Sequence, residues 1–158
     1  MNTIISNEDR EKTIICENPE SVIRNSTILA FATVAASPYI HYSKIFNHNP
    51  LILNISLRDI ATDIILKCNN ITDDTEHVLK ANTSVHLTEQ QIGNRAFING
   101  SLFDVLQNKV QLDDSKPTVF SPFGLGVLDI ALGSYVLNKA IKYNEAMEIE
   151  NFFFELTR

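Results

Sequence analysis

TVFSPFGLGVLD, residues 118–129, joins a β-branched run to an apolar helical pattern through a turn rich in Ser, Pro and Gly. In α/β domains such a turn presents backbone N–H groups at a helix N-terminus to an anion or a cofactor. A glycine-rich phosphate loop should lie upstream of it, but the first glycine of the sequence is Gly93. The pattern is therefore that of the back half of a dinucleotide-binding domain without its front half.

The composition is typical of a single globular domain. The chain has 158 residues, of which 44% are hydrophobic and 20% charged, so we expect one domain spanning 1–158. A formal net charge of −6, with no Lys/Arg cluster, argues against nucleic-acid binding. The N-terminal stretch is polar, and no apolar run approaches the roughly 20 residues of a membrane span. We expect a cytoplasmic protein with no membrane partner.

Hydrophobic patterning predicts strands that alternate with helices. The predicted strands are Thr13–Cys16, Thr27–Thr33, Leu51–Ser56, Asn70–Asp74 and Thr118–Phe120, with a strand-like tail at Asn151–Leu156. The sequence predicts a short helix after Asn18, which caps it. Further helices are predicted at 60–68, within 75–91, at Ser101–Gln107 and from Leu125 to Tyr143. This alternation predicts an α/β fold with a partial, Rossmann-like, mostly parallel sheet flanked by helices.

Four stretches carry a family resemblance. They are SVIRNSTILAFAT (21–33), LNISLRD (53–59), DDTEHVLKANTS (73–84) and FSPFGLG (120–126). Together they resemble the ornithine cyclodeaminase/μ-crystallin family, above all the branch that oxidises an amino-carboxyethyl-glutamate on the way to 2,3-diaminopropionate. The resemblance implies the second half of that family's dinucleotide domain, without the phosphate-binding first half or the substrate domain.

The resemblance assigns an ancestry to two sites. It implies that Asp59 corresponds to the family's general acid/base, and that Ser121, Gly124 and Gly126 correspond to the wall beside the nicotinamide of NAD. Because the G-x-G-x-x-G loop and the substrate domain are missing from the sequence, we expect a pseudoenzyme without a cofactor. From the residues alone, Asp59 is also typical of a surface ion pair or a helix cap, and the glycines of close backbone packing.

An acidic cluster offers a metal site as an alternative. Asp73 and His77 share a helix face, and Asp74 and Glu76 lie beside them. The cluster has a counterpart in the family that binds no metal. We interpret it as a solvated helix N-terminus and expect no metal ion.

A doubly wound sheet that lacks its first half exposes a strand that was central. That strand is Thr27–Thr33 or the neighbouring Thr13–Cys16, so the predicted edge residues are Thr27, Leu29, Phe31, Thr33 and Ile14. Such an edge pairs with a second copy, a separate chain or an extended peptide.

These observations lead to two hypotheses. The first is a non-catalytic protein, homodimeric, that binds a peptide or partner protein through its sheet edge as an accessory in peptide natural-product biosynthesis. The alternative is a half-subunit of a split NAD-dependent amino-acid or opine-type dehydrogenase or cyclodeaminase, with Asp59 as acid/base. In either case we expect one side of the Phe152–Phe154 run to contact another chain.

Overall fold

A computed structural model of the chain describes residues 12–41 and 44–149, and the chain divides after Phe123 into two compact units. The strands, all in the first unit, are β1 (Ile28–Phe31), β2 (Leu51–Asn54), β3 (Asn69–Thr72), β4 (Gly100–Ser101) and β5 (Thr118–Ser121). The helices of this unit are α1 (Pro19–Asn25), α2 (Thr62–Ile65), α3 (Thr75–Val78), α4 (Ser84–Ile92) and α5 (Leu102–Leu106), with a 3₁₀ turn at Lys44–Phe46. The second unit contains α6 (Gly126–Lys142).

The five strands form one sheet in the order β1-β2-β5-β3-β4, and every neighbouring pair is parallel. The α/β prediction with a mostly parallel sheet is confirmed. β1 lies at one edge of the sheet, with Ile28 opposite Leu51 of β2. Of the two strands that the sequence analysis offers as the edge, Thr27–Thr33 is thus the one found at an edge of the sheet, as β1.

The main core lies on one face of the sheet. Leu29, Phe31, Ile52 and Val119 project to this face and pack with Ile23 of α1. β1 and β2 are not buried on both faces, because Ile28 is 62% and Leu51 39% exposed. Helices usually cover both faces of a parallel sheet, whereas among the described residues of the first unit the second face is open at Ile28 and Leu51.

Local signals account for several helix ends. The Asn18 side chain accepts a hydrogen bond from the Ser21 N–H at 2.9 Å and caps α1. Gly93 ends α4 with a φ of +72°, in the left-handed conformation that glycine adopts without strain. The predicted helix starting at Leu125 is confirmed as α6, which begins one residue later.

One predicted strand is absent, and one strand of the sheet was not predicted. Residues 13–16 form no strand, and Ile14 is 88% exposed, because β-branched residues hold an extended conformation only where a neighbouring strand supplies a ladder. The short β4 gave no hydrophobic signal. Its Gly100 is required because an added Cβ would lie 2.7 Å from Val110 Cγ2. The predicted tail at Asn151–Leu156 lies outside the described residues.

Over residues 12–41 and 44–149, no helix is both long and apolar enough to cross a bilayer.

Candidate functional site

Asp59 lies in the loop after β2, and its side chain is completely buried. One carboxylate oxygen accepts a hydrogen bond from the Thr33 hydroxyl, and the other accepts one from the Ser56 hydroxyl. The carbonyl oxygen of Asp59 accepts hydrogen bonds from the N–H groups of Tyr39 and Ile40, at 3.1 and 2.9 Å. We call Asp59, Thr33, Ser56 and Tyr39 the carboxyl-edge latch, because they tie the loop after β1 to the loop after β2.

The latch corrects one reading of Asp59. The side chain is neither an exposed ion pair nor a helix cap, since the neighbouring Arg58 guanidinium donates to the Ala81 carbonyl oxygen at 2.9 Å. A buried carboxylate is stable only where its oxygens are hydrogen-bonded, and both Asp59 oxygens have hydroxyl donors. The arrangement therefore holds two loops together.

Tyr39 completes the latch, and it is the latch residue whose pKa is shifted. Burial, together with a hydrogen bond to Asp59 and the charge of that carboxylate, raises the pKa of Tyr39 above its ordinary value of 10.0, while a hydrogen bond with Thr33 opposes the shift. The neutral phenol is thus favoured in the folded protein.

This shift predicts an alkaline instability. A raised folded-state pKa gives stability that is present below the unfolded value of 10.0 and is lost as the pH rises through the folded value. We expect Tyr39→Phe to lose less stability than the wild type between about pH 8 and about pH 11, measured by urea unfolding. Tyr135→Phe, on exposed α6, is the matched control and should follow the wild type. Equal losses for the Tyr39→Phe protein and the wild type would contradict the latch geometry.

The second sequence-predicted site, at Ser121, Gly124 and Gly126, is divided between the two units. Ser121 ends β5 in the first unit, where its hydroxyl accepts a hydrogen bond from Asn54 Nδ2 at 3.3 Å. Both residues are buried, and Asn54 Oδ1 has no hydrogen-bond partner among the described residues. Gly124, with a φ of +102°, and Gly126, the first residue of α6, belong to the second unit.

The acidic cluster is confirmed as a helix N-terminus. Asp74 caps α3 by accepting a hydrogen bond from the His77 N–H at 2.8 Å. Asp73 accepts the Phe123 N–H at 3.0 Å, and Glu76 pairs with Arg95 at 2.5 Å. Within the described residues, no group of three or more His, Cys, Asp or Glu side chains could hold a metal ion.

Within residues 12–41 and 44–123, the first unit does not fit a dinucleotide diphosphate. A diphosphate binds to free N–H groups at a helix N-terminus behind a glycine-rich turn. Here the N-termini of α1, α3, α4 and α5 are occupied by their own capping side chains, which are Asn18, Asp74, Thr83 and Ser101. The remaining helix, α2, is a single turn with Asp63 at its start and no glycine in front of it.

The free edge of β1 is the other candidate site. The carbonyl oxygens of Thr27 and Phe31 accept hydrogen bonds from the β2 side, from Leu51 and Ser56, both at 2.9 Å. Because backbone groups alternate in direction along a strand, the N–H and C=O groups of Ile28 and Ala30 face away from β2. No strand of the described chain pairs with them.

A groove of about 230 Å³ follows this edge, and we call it the β1 groove. Its walls come from α1 and β1, and Thr33 and Tyr39 of the latch lie at its carboxyl end. The lining residues are Pro19, Val22, Ile23, Ile28, Leu29, Ala30, Phe31, Thr33 and Tyr39.

The structure gives the predicted edge residues different places. Leu29 and Phe31 point their side chains into the core, and Thr33 bonds to Asp59. The sequence analysis missed Ile28 and Ala30, whose backbone groups face the open edge. The alternating direction of backbone groups along a strand was the available signal. Which residues face the open edge, however, depends on the side of β1 on which β2 lies.

Comparisons with known proteins bear on the fold. No family model matches the sequence, and neither does any curated protein. An archaeal alanine dehydrogenase dimer with bound NAD is similar in structure, with a TM-score of 0.76, 19% identity, and coverage of 92% of this chain and 47% of the other. Thermococcus litoralis Δ¹-pyrroline-2-carboxylate reductase, in complex with NADH and L-proline, is similar with a TM-score of 0.75 and 18% identity. The match covers 85% of this chain and 44% of the reductase. A probable ornithine cyclodeaminase from Bordetella pertussis Tohama I is similar with a TM-score of 0.68 and 17% identity, and the match covers 82% of this chain and 44% of the other.

The similarity confirms, at the level of the fold, the resemblance to cyclodeaminases seen in the sequence. The chain spans less than half the length of each of these solved structures. Its fold is that of the dehydrogenase, reductase and cyclodeaminase structures over that part.

Proposed function

We propose that this chain is a non-catalytic, cyclodeaminase-like binding protein that captures a peptide or a partner protein by adding a strand to β1. The observation that carries the proposal is a sheet edge at β1 beside an apolar groove, where no strand of residues 12–41 and 44–149 pairs with the backbone groups of Ile28 and Ala30. Such an edge is a template for another strand, since its N–H and C=O groups are already aligned.

Two features support a role without catalysis. The Asp59 carboxylate is fully buried, and both of its oxygens already accept hydrogen bonds within the chain. The helix N-termini of the first unit do not fit a diphosphate. The accessory role in peptide natural-product biosynthesis rests on the family branch that the sequence resembles, because that branch supplies a non-proteinogenic amino acid.

The same edge serves a homodimer, which we also propose. Two copies pair at β1 around a two-fold axis, and each covers the other's unpaired groups. Self-pairing and partner capture use the same backbone groups of Ile28 and Ala30.

A split dehydrogenase is the second candidate. It is favoured by the lengths of the solved structures, which are more than twice that of the matched part, and by the NAD and NADH in two of them. In this case β1 joins a separately encoded first half, and Asp59 lies at the carboxyl edge where open α/β sheets place their chemistry.

One pair of titrations of the isolated protein separates the candidates. A fluorophore-labelled, capped heptapeptide of alternating threonine and valine should give saturable binding by fluorescence anisotropy. NADH should give no change in its own fluorescence, whereas micromolar NADH affinity would overturn the non-catalytic proposal. The control peptide carries proline at its three valine positions, cannot form a ladder, and should not bind. A valine peptide that binds no better than the proline peptide contradicts capture at β1.

A further inference from the structure

The β1 groove differs in charge from two other cavities of the first unit, one of which is lined in part by Arg58 and the other by Lys67 and Lys116. On the helix side it is lined by the apolar residues Val22 and Ile23, and none of its described lining residues is charged. Among the residues that the structure describes, the polar side chains that line it are Thr33 and Tyr39, at the carboxyl end. The Asp59 carboxylate behind them already accepts two hydrogen bonds from this chain.

The size of the groove fits side chains of an extended segment. Ligand and cofactor pockets usually measure about 300–1,000 Å³. The β1 groove, at about 230 Å³, is smaller than these and follows the strand. It therefore suits the side chains of a strand that pairs with β1.

The two faces of an added strand meet different surroundings. Side chains on the α1 side enter the groove against Val22 and Ile23, where water is displaced. Side chains on the opposite side lie beside Ile28, which is 62% exposed, and remain in contact with water. A charged group on the first side would be desolvated without a counter-charge, which is costly, but on the second side it would stay hydrated.

We infer that the partner segment is an extended peptide stretch with uncharged, aliphatic residues at every second position, which enter the β1 groove. This inference rests on the proposed function, and it adds the chemical class of the partner. The positions between the aliphatic ones tolerate polar and charged residues, so specificity has a period of two along the partner.

The test uses the threonine–valine heptapeptide and two variants of it. Lysine in place of the central valine should weaken binding at least tenfold, while lysine in place of a neighbouring threonine should change it less than threefold. Equal losses at the two positions, or no loss at either, would overturn the inference while leaving capture at β1 intact. If the parent peptide itself does not bind, the result contradicts the proposed function, capture at β1, on which this inference rests.

A charge exchange gives the reciprocal measurement. Val22 is 43% exposed at the groove wall, so Val22→Glu should not prevent folding. The Val22→Glu protein should bind the peptide with the central lysine at least fivefold more tightly than the wild type does, because the glutamate supplies the missing counter-charge. Glu20→Gln, on the same helix but outside the groove lining, is the control and should leave the lysine peptide unaffected. Failure of Val22→Glu to improve binding would place the lysine elsewhere and contradict the geometry.

Discussion

Ala30→Pro is expected to abolish peptide capture at β1 and to leave the fold intact. Ala30 is exposed, and its N–H faces the free edge, so a proline there removes a donor that the sheet itself does not use. The proline ring also occupies the space that an incoming strand needs. We expect at least a tenfold loss of affinity for the threonine–valine peptide in anisotropy titrations, equivalent to about 1.4 kcal/mol or more.

The matched control is Ala30→Val. Valine keeps the N–H and suits a strand, so this variant should bind the peptide within about threefold of the wild type. Both variants should unfold within a few degrees of the wild type in thermal melts, because proline is tolerated on an edge strand. A folded Ala30→Pro protein that binds normally would show that capture does not use the β1 backbone.

Asp59→Ala is expected to cost roughly 2–4 kcal/mol of unfolding free energy, the largest stability effect that we predict. The substitution leaves the hydroxyls of Thr33 and Ser56 without their acceptor and empties a fully buried position. The loops after β1 and β2 also lose the side-chain link between them. Urea unfolding monitored by circular dichroism measures the change.

Two controls define this result. Asp59→Asn keeps the shape and one acceptor oxygen, so its loss should be smaller than that of Asp59→Ala. Asp114→Ala removes a carboxylate from an exposed position and should stay within about 0.5 kcal/mol of the wild type. If Asp59→Ala proves as stable as Asp114→Ala, the carboxylate has no structural role, which would favour its use as an acid/base in a split enzyme.

The sequence predicts the sheet where strands are long and apolar. Leu51–Asn54 and Thr118–Ser121 follow Pro50 and Pro117 directly and are found as predicted, within two residues at their ends. The strand at 13–16 fails because pairing, and not the β-branched residues alone, forms a strand. The two-residue β4 has too little sequence to show a period.

The candidate site could also be predicted from the sequence only in part. The position of Asp59 at the carboxyl edge follows from the strand before it and from the family resemblance. Its burial does not, because one of its donors is Thr33, 26 residues away on another loop. The outward direction of Ile28 and Ala30 depends on the side of β1 that β2 occupies, and this tertiary choice is not written in the strand itself.

The carboxyl-edge latch also has a consequence for the kinetics of capture. Thr33 and Tyr39 belong both to the latch and to the lining of the β1 groove, so hydrogen bonds within this chain already hold the loop at the end of the strand. An edge that is already in place needs little further ordering of this chain, and the entropy lost on association comes mainly from the incoming segment. Partners that are themselves extended before binding should therefore associate fastest, and the affinity of a flexible partner should rise when its backbone is stiffened.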